Sequence, residues 1–316
     1  MSTTQRIDFI DLAKGLCMIA LVIGHCGVNV AGNATIPLYM IISGMFFKEY
    51  EAPGSFFVKK INKILVPFLF FYLAGNLAYY GIKYIAPQYL ITDARGIWDL
   101  FTNRQFFNGP IWFIITLFWC NIILYAITRT TKNHIARIAI ILLVGTIGWY
   151  AGYCDIFVPM FIDVAMTLLP FFAIGYYIKS GAIFKGGKII YAAAGVLLAA
   201  ISVYMPHRIS LHYNIIEGIH SYIAAFTIAF AVLFICLYIN RVPFVNYFGK
   251  YSLIPLCVHH LIYRPIAVAF KAINIDLLNN CYAVAIVTLL LSTLCIPLCI
   301  RYIPWFVAQK DVIKLK

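Results

Sequence analysis

The sequence of 316 residues has few charged side chains, because Asp, Glu, Lys and Arg together make up only 11% of it. Soluble domains carry about 25% charged residues, so a surface this poor in charge could not face water on all sides. Hydrophobic residues make up 63% of the chain, and its mean hydropathy is +0.91. Since a membrane-spanning helix needs about 20 apolar residues, we exclude a soluble enzyme and predict an all-α bundle of about ten spans.

The chain also lacks the patterns that mark several other classes of protein. Its net charge is +13, but Lys and Arg stand singly or in pairs beside apolar runs, without a long basic tract. Because zinc-finger spacings and RNA-recognition motifs are missing too, no nucleic acid is expected as a partner. The nine cysteines form no Cys/His ligand spacing, so the sequence predicts no metal site. A fixed-period repeat is also missing, which disfavours an inverted-repeat transporter.

Apolar runs bounded by charged residues, Pro or Gly predict ten membrane spans in one domain that covers residues 1–316. The predicted spans are 10–31, 35–48, 64–86, 109–128, 138–153, 160–178, 189–205, 219–239, 252–271 and 280–302. If the amino terminus is cytoplasmic, eighteen of the 24 Lys and Arg residues fall on the inner side. This asymmetry predicts that both termini are cytoplasmic. The first run is predicted to be a retained helix, because Asp8 and Asp11 stand where a signal peptide has basic residues.

The first predicted span carries an unusual set of polar side chains along one face. Asp11 and Lys14 lie near its cytoplasmic end, and His25 and Asn29 lie in its outer half. At 100° per residue these four side chains fall on one stripe, and the rise from Lys14 to His25 is roughly 16 Å. Polar groups inside a membrane are costly, so the stripe indicates function. A helix-end ion pair with a His bonded to a neighbouring carbonyl would explain it equally well.

Two further groups of polar residues flank the spans. Lys59, Lys60 and Lys63 precede the third span, and Lys60 and Lys63 can point the same way on a helix. They could form an anion site for a phosphate-bearing cytoplasmic ligand or simply anchor the helix at the membrane surface. The second group, on the predicted outer side and in the ninth span, comprises Trp112, Asp163, Glu217, His220, His259, His260 and Arg264.

Four motifs together resemble the acyltransferase-3 family of membrane proteins, and most closely its fucose 4-O-acetylase-like branch. They are "IDLAKGLCMIALVIGH", "PLYMIISGMFF", "GPIWFIITLF" and "YSLIPLCVHH", in the expected order. In that family an Asp and a basic residue precede a helix that ends in a functional His, which here are Asp11, Lys14 and His25. The chain departs from the family in having Lys at 14, 60 and 63 where Arg is usual, and Pro255–Leu256 where Ile-Tyr is usual. Lys binds phosphate as a point charge without the bidentate fork of Arg.

The resemblance implies a ten-helix protein of the bacterial inner membrane that moves an acyl group, usually acetyl, from cytoplasmic acyl-CoA to a hydroxyl of an extracytoplasmic glycan. A homo-oligomer is compatible with it. His25 would act as general base or as a transient acyl carrier. Asp11 lies too far along the helix to orient it directly, so the partner carboxylate would be Glu217 or Asp163. Asn29 or the Trp112 N–H would donate to the oxyanion.

The remaining expectations concern binding of the two substrates. The residues expected to hold acetyl-CoA are Lys14, Lys60, Lys63 and Ser43. Those expected to line the acceptor site are Trp112, Asp163, His220, His259 and Arg264. A transporter or flippase for a sugar or a lipid-linked glycan is the main alternative, with His25, Glu217 and the His260/Arg264 pair along its pathway. A membrane sensor or scaffold is a third reading. Binding of an acyl-CoA would favour the acyltransferase over both the transporter and the sensor or scaffold.

Overall fold

A computed structural model describes residues 8–28, 35–49, 51–90, 92–102, 104–179, 186–205, 208–273 and 280–314. The fold is 78% helical, with almost no strand in these residues. The helices are α1 (Asp8–His25), α2 (Thr35–Met45), α3 (Pro53–Lys60), α4 (Val66–Ile85), α5 (Asp99–Thr102), α6 (Trp112–Thr130), α7 (His134–Tyr153), α8 (Ile162–Ile178), α9 (Lys188–Tyr204), α10 (Gly218–Ile239), α11 (Pro243–Lys250), α12 (Leu253–Ala272) and α13 (Cys281–Tyr302). Strands β1 (Ile209–Ser210) and β2 (Ile215–Ile216) form a short antiparallel hairpin.

Seven helical segments in the described residues are long and apolar enough to cross a membrane. They are Pro53–Ile85, Gly109–Thr130, His134–Tyr153, Pro159–Ile178, Gly218–Ile239, Leu253–Phe270 and Cys281–Tyr302. This confirms the prediction of an all-α integral membrane protein. The three other predicted spans correspond to α1, which carries three charged residues, and to α2 and α9, which have 11 and 17 residues. Ten spans and cytoplasmic termini therefore stay predictions.

The third predicted span begins earlier in the structure than its apolar run does. One helical segment continues from Pro53 to Ile85 through a π-helical turn at Ile61–Leu65. The polar residues in this turn are satisfied by the carboxy-terminal segment, since Asn62 accepts from the backbone N–H groups of Val312 and Ile313, each at 2.9 Å. These contacts join residues about 250 positions apart in the chain. Local hydropathy does not reveal such contacts, so it could not predict where the helix begins.

Close glycine contacts hold the interior helices together. A Cβ atom on Gly44 of α2 would lie 1.8 Å from the carbonyl oxygen of Phe172 on α8, and one on Gly175 of α8 would lie 1.8 Å from that of Ile41. Since real Cβ atoms do not approach oxygen this closely, only glycine permits the observed backbone separation at these two positions. Small residues at helix crossings are a common device of membrane proteins, in which packing replaces the hydrophobic effect between helices.

Replacing Gly175 by Ala is expected to destabilise the bundle, because α8 would have to move away from Ile41. Overpacking of this kind costs about 1–3 kcal/mol, so the Tm of the detergent-purified protein should fall by several degrees. Gly81→Ala is the matched control, since it lies in α4 with no heavy atom within 4 Å of the added Cβ. Equal Tm values for the two variants would contradict the proposed α2–α8 contact.

Candidate functional site

Three histidine rings meet where the end of α1 approaches α12. His25 is the last residue of α1, and its Nδ1 lies 3.0 Å from Nε2 of His259. The two rings are nearly parallel, with centroids 5.2 Å apart. His260 presents its ring edge-on to His25, at a centroid distance of 4.6 Å. His259 is completely buried, whereas His25 is exposed and lines a cavity. The group is therefore anchored on α12 and accessible through His25.

The hydrogen bonds of His259 fix which nitrogen atoms carry protons. Its Nδ1 lies 2.7 Å from the carbonyl oxygen of Pro255, one turn earlier in α12. A carbonyl oxygen can only accept, so Nδ1 of His259 is the donor, and Nε2 of the neutral ring is then an acceptor. It follows that Nδ1 of His25 donates to His259. In neutral His25 this leaves the lone pair on Nε2, for which the described residues provide no hydrogen-bond partner.

Residues 108 and 109, just before α6, hold α12 in this position. The side-chain amide of Asn108, which is buried, donates to the carbonyl oxygen of Cys257 at 2.9 Å. The next residue lies against His260, because a Cβ atom on Gly109 would be 3.1 Å from Cε1 of that ring. The "NGPIWF" motif therefore contacts the part of α12 that carries the two histidines. This explains why two motifs far apart in the chain belong to one site.

Among the described residues beside the three rings, one carries a permanent positive charge. Arg264 is one turn beyond His260 on α12, and its guanidinium packs over the ring of Phe107 at 4.8 Å. Its charge interacts electrostatically with both His25 and His260. One nitrogen from each of the three imidazoles lies within 4.8 Å of the other two, a grouping that could hold a metal ion. Sequence spacing could not reveal it, because His25 and His259 are 234 residues apart.

A cavity of about 470 Å³ opens beside His25, at the end of α1 opposite its amino terminus. It is bounded by the end of α1, the start of α2, the start of α6 and the β1 hairpin. Trp112 forms part of the wall and stacks on Phe161 with ring centroids 5.8 Å apart. His212, in the turn that follows β1, also lines the cavity and stacks on Phe161 at 5.7 Å. The structure thus brings His25 and Trp112 to one cavity with apolar and aromatic walls.

A buried ion pair braces the segments around this cavity. Oδ2 of Asp163 accepts hydrogen bonds from Nη2 of Arg104 at 2.7 Å and from Nδ2 of Asn214 at 3.0 Å. The Asp163 and Arg104 side chains are 0% and 8% exposed, so the charges neutralise each other away from water. Removing either partner from such a pair is costly. Asp163 therefore ties the segment before α6 to the hairpin rather than lying among the residues that line the cavity.

The other predicted outer residues lie apart from the three histidines. Glu217 immediately precedes α10 and is exposed, as is His220 in the first turn of that helix. Among the described residues neither contacts His25, whose hydrogen-bond partner is His259 rather than a carboxylate. Asn29 lies outside the described residues.

The predicted donor-binding residues all lie towards the other end of the helices. Asp11 and Lys14 are half-buried in α1, and the ammonium group of Lys14 packs over the ring of Phe46 at 5.1 Å. Ser43 is half-buried near the end of α2, and its carbonyl oxygen accepts from the backbone N–H of Phe46. Lys14, Ser43 and Phe46 therefore form one neighbourhood, and Lys14 lies roughly 16 Å along α1 from His25 at the cavity.

The lysines before α4 have different surroundings. Lys60 is half-buried, with its ammonium group 5.4 Å above the ring of Phe56. Lys63 pairs with Asp311 at 2.9 Å and donates to the carbonyl oxygen of Ala308, also at 2.9 Å. Lys63 therefore fastens the carboxy-terminal segment to the bundle, a role that its position beside Lys60 did not indicate.

The sequence matches a known protein family over most of its length. A family model described as an acyltransferase domain, that of the acyltransferase-3 group, matches residues 7–302. No curated protein and no solved structure was found to match the chain. The matched region runs from α1 to α13 and includes all three histidines and the cavity wall. The expected family is confirmed, whereas its fucose 4-O-acetylase-like branch stays a prediction.

His212 should make the stability of the protein depend on pH. Burial lowers the pKa of its imidazole to about 4; a hydrogen bond with the Arg104 backbone opposes this shift, and the guanidinium charge adds to it. Below about pH 6.5 the unfolded chain binds a proton here that the folded protein does not. The Tm should therefore decrease from about pH 6.5 towards pH 4. His212→Phe keeps the aromatic stack and should flatten this dependence; an unchanged slope in that variant would contradict the assignment.

Proposed function

The chain belongs to the acyltransferase-3 family, and we propose that it transfers an acyl group, acetyl foremost, from cytoplasmic acyl-CoA to a hydroxyl of an extracytoplasmic glycan. That it is a membrane acyltransferase in general follows from the family and from the seven apolar helical segments. The finer proposal is supported chiefly by one observation, the hydrogen-bonded chain from His25 through His259 to the Pro255 carbonyl beside a cavity. The bacterial inner membrane is the proposed location.

Acyl-CoA would approach from the end of α1 that carries Lys14. In this proposal Lys14 and Lys60 bind the phosphates of the donor, with Ser43 nearby, and Lys63 contributes only if its pairing with Asp311 opens. The pantetheine arm would then follow α1 towards His25, over an axial distance of roughly 16 Å. The positions of Lys14 in the second turn of α1 and of His25 as its last residue support this arrangement. The cavity beside His25 would receive the acceptor.

The reaction would begin with proton transfer to Nε2 of His25. As the acceptor hydroxyl loses its proton to Nε2, its oxygen attacks the thioester carbonyl carbon, and a new C–O bond forms. The tetrahedral intermediate collapses by breaking the C–S bond, and the proton on Nε2 passes to the departing CoA thiolate. Such positioned general bases contribute about 10²–10⁴ in rate. A transient acyl group on Nε2 would use the same lone pair, and burst kinetics would distinguish it from direct transfer.

His259 would support this step in the place where a carboxylate was expected. When His25 gains a proton, its Nδ1–H donates to Nε2 of His259, which is in turn fixed by the Pro255 carbonyl. We assign the orienting role to His259 and not to Glu217 or Asp163. Trp112, on the cavity wall, remains the proposed donor to the oxyanion, and Arg264 would favour the negative charge that develops near the rings.

Variants of the two histidines test the proposal directly. His25→Ala should lower acetyl transfer from acetyl-CoA to envelope glycan by about 10²–10⁴, because the general base is lost. His259→Leu should also lower kcat, while His259→Gln should recover part of it, since the amide oxygen can accept from Nδ1 of His25. Radiolabelled acetyl transfer in membranes and acetyl-CoA binding to purified protein measure the two steps separately.

His134→Ala is the matched control, because this exposed histidine begins α7 away from the three rings. The proposed role of His25 requires that binding of acetyl-CoA survives in His25→Ala while transfer is lost. Full transfer activity in a folded, inserted His25→Ala protein would rule out the proposed mechanism. Failure of the wild-type protein to bind any acyl-CoA would rule out the proposed donor.

A further inference from the structure

The three imidazoles have a feature that acyl transfer does not require. General-base catalysis by His25 uses one partner, His259, yet His260 is packed against both rings with centroids 4.6 and 5.1 Å away. Its Nδ1 is buried and has no hydrogen-bond partner. Buried polar atoms are nearly always paired, so an unpaired imidazole nitrogen among other imidazoles calls for an explanation. A bound ligand that accepts electron pairs would explain this unpaired nitrogen.

We propose that His25, His259 and His260 form a binding site for one transition-metal ion of the Zn²⁺ or Cu²⁺ type. One nitrogen from each ring lies within 4.8 Å of the other two. Three nitrogens bound to zinc at 2.0–2.1 Å stand about 3.3 Å apart in tetrahedral geometry, so small side-chain movements suffice. His259 already has the outer contact typical of a metal ligand, because its second nitrogen donates to the Pro255 carbonyl.

The donor set also decides which ions the site can take. Imidazole nitrogens favour Zn²⁺ and Cu²⁺, whereas Mg²⁺ and Ca²⁺ need oxygen ligands. Among the residues that the structure describes, no carboxylate joins the three rings, and the nearby charge of Arg264 opposes a cation. Weakly bound divalent ions are therefore excluded, and only ions with a strong preference for imidazole overcome the repulsion. The cavity beside His25 gives the ion a path to the site and leaves a fourth position for water.

Metal binding would switch off His25 as a base through its tautomer. For Nδ1 to coordinate the ion, the N–H bond at that atom breaks, and the single ring proton moves through cavity water to Nε2. The lone pair that would accept the substrate proton is then occupied by hydrogen, with no net loss or gain of protons. Metal binding itself does not depend on the proposed acyl transfer, but this inhibition rests on it.

A titration with Co²⁺ and Zn²⁺ tests the site without any assay of activity. The protein should be untagged, full-length, stripped with a chelator and made in a Cys154→Ser background, because Cys154 is an exposed free thiol. We expect one ion per chain, the visible absorption bands of tetrahedral Co²⁺, and displacement of Co²⁺ by Zn²⁺. His260→Ala should weaken Zn²⁺ binding at least about 100-fold, since even outer-shell substitutions cost 10–100-fold. His134→Ala should bind as tightly as the parent.

The outcomes separate the metal site from the proposed function. Absence of stoichiometric binding to folded protein, or equal affinity in His260→Ala and His134→Ala of unchanged Tm, would overturn the site. If the ion binds and acyl transfer continues at full rate, the inhibition by tautomer change is wrong while the site stands. If the ion binds but the metal-free chain transfers no acyl group, the site stands and the proposed function fails.

Discussion

The hydrogen bond between Nδ1 of His25 and Nε2 of His259 is the contact on which the account of this protein depends. It decides which nitrogen of His25 keeps its lone pair, because His259 is itself oriented by the Pro255 carbonyl. A histidine whose tautomer is fixed and whose side chain lines a cavity is suited to accept a proton from a hydroxyl. Without this contact, His25 would be a polar residue at the end of an apolar helix with no particular chemistry.

The rest of the structure positions the two helices that make this contact. Near the start of α1, a Cβ atom on Gly15 would lie 2.1 Å from the Val245 carbonyl oxygen, and one on Gly249 would lie 1.8 Å from that of Asp11. These approaches lock α1 against α11, and α12 begins only three residues after α11 ends. The hydroxyl of Tyr39 on α2 also donates to Ser252 at this junction.

The far side of the site depends on polar contacts that tie segments outside the helices to α8 and α12. Asn108 fixes the approach to α6 against α12, and the Asp163–Arg104 pair holds the same segment to α8. Asn214 joins this pair to the hairpin that closes the cavity. Each of these bonds is buried, so each is costly to break singly and resists displacement by water. The cavity is therefore bounded by fixed walls on the side away from His25.

Much of this could be predicted from the sequence, and the exceptions have physical causes. Apolar runs predicted a helical membrane protein, and the cost of placing His25 in a membrane made it a candidate functional residue. The helical spacing also predicted that Lys14 and His25 lie in opposite halves of one helix, as they do in α1. These inferences rest on local periodicity, which a single sequence reveals.

The contacts that decide the chemistry lie outside the reach of periodicity. His259 was expected to bind substrate and instead bonds to His25, 234 residues away in the chain. Asp163 was a candidate partner for His25 and is instead neutralised by Arg104. His212 was not among the predicted site residues, and only the fold of the hairpin brings it to the cavity. The adjacent residues His259 and His260 in the ninth span were the one sequence signal of a histidine cluster. Only the fold shows that His25 lies beside them.

The proposed role of His25 as a base depends on its tautomer, which can be measured directly. Nitrogen-15 NMR of the protein with labelled histidine, assigned by comparison with His25→Ala, reports which ring nitrogen of His25 carries the proton. We predict that at neutral pH the proton lies on Nδ1, that Nε2 is unprotonated, and that His259→Leu removes this preference. A proton found on Nε2 of neutral His25 in the unaltered protein would contradict the account, because no base would then face the cavity.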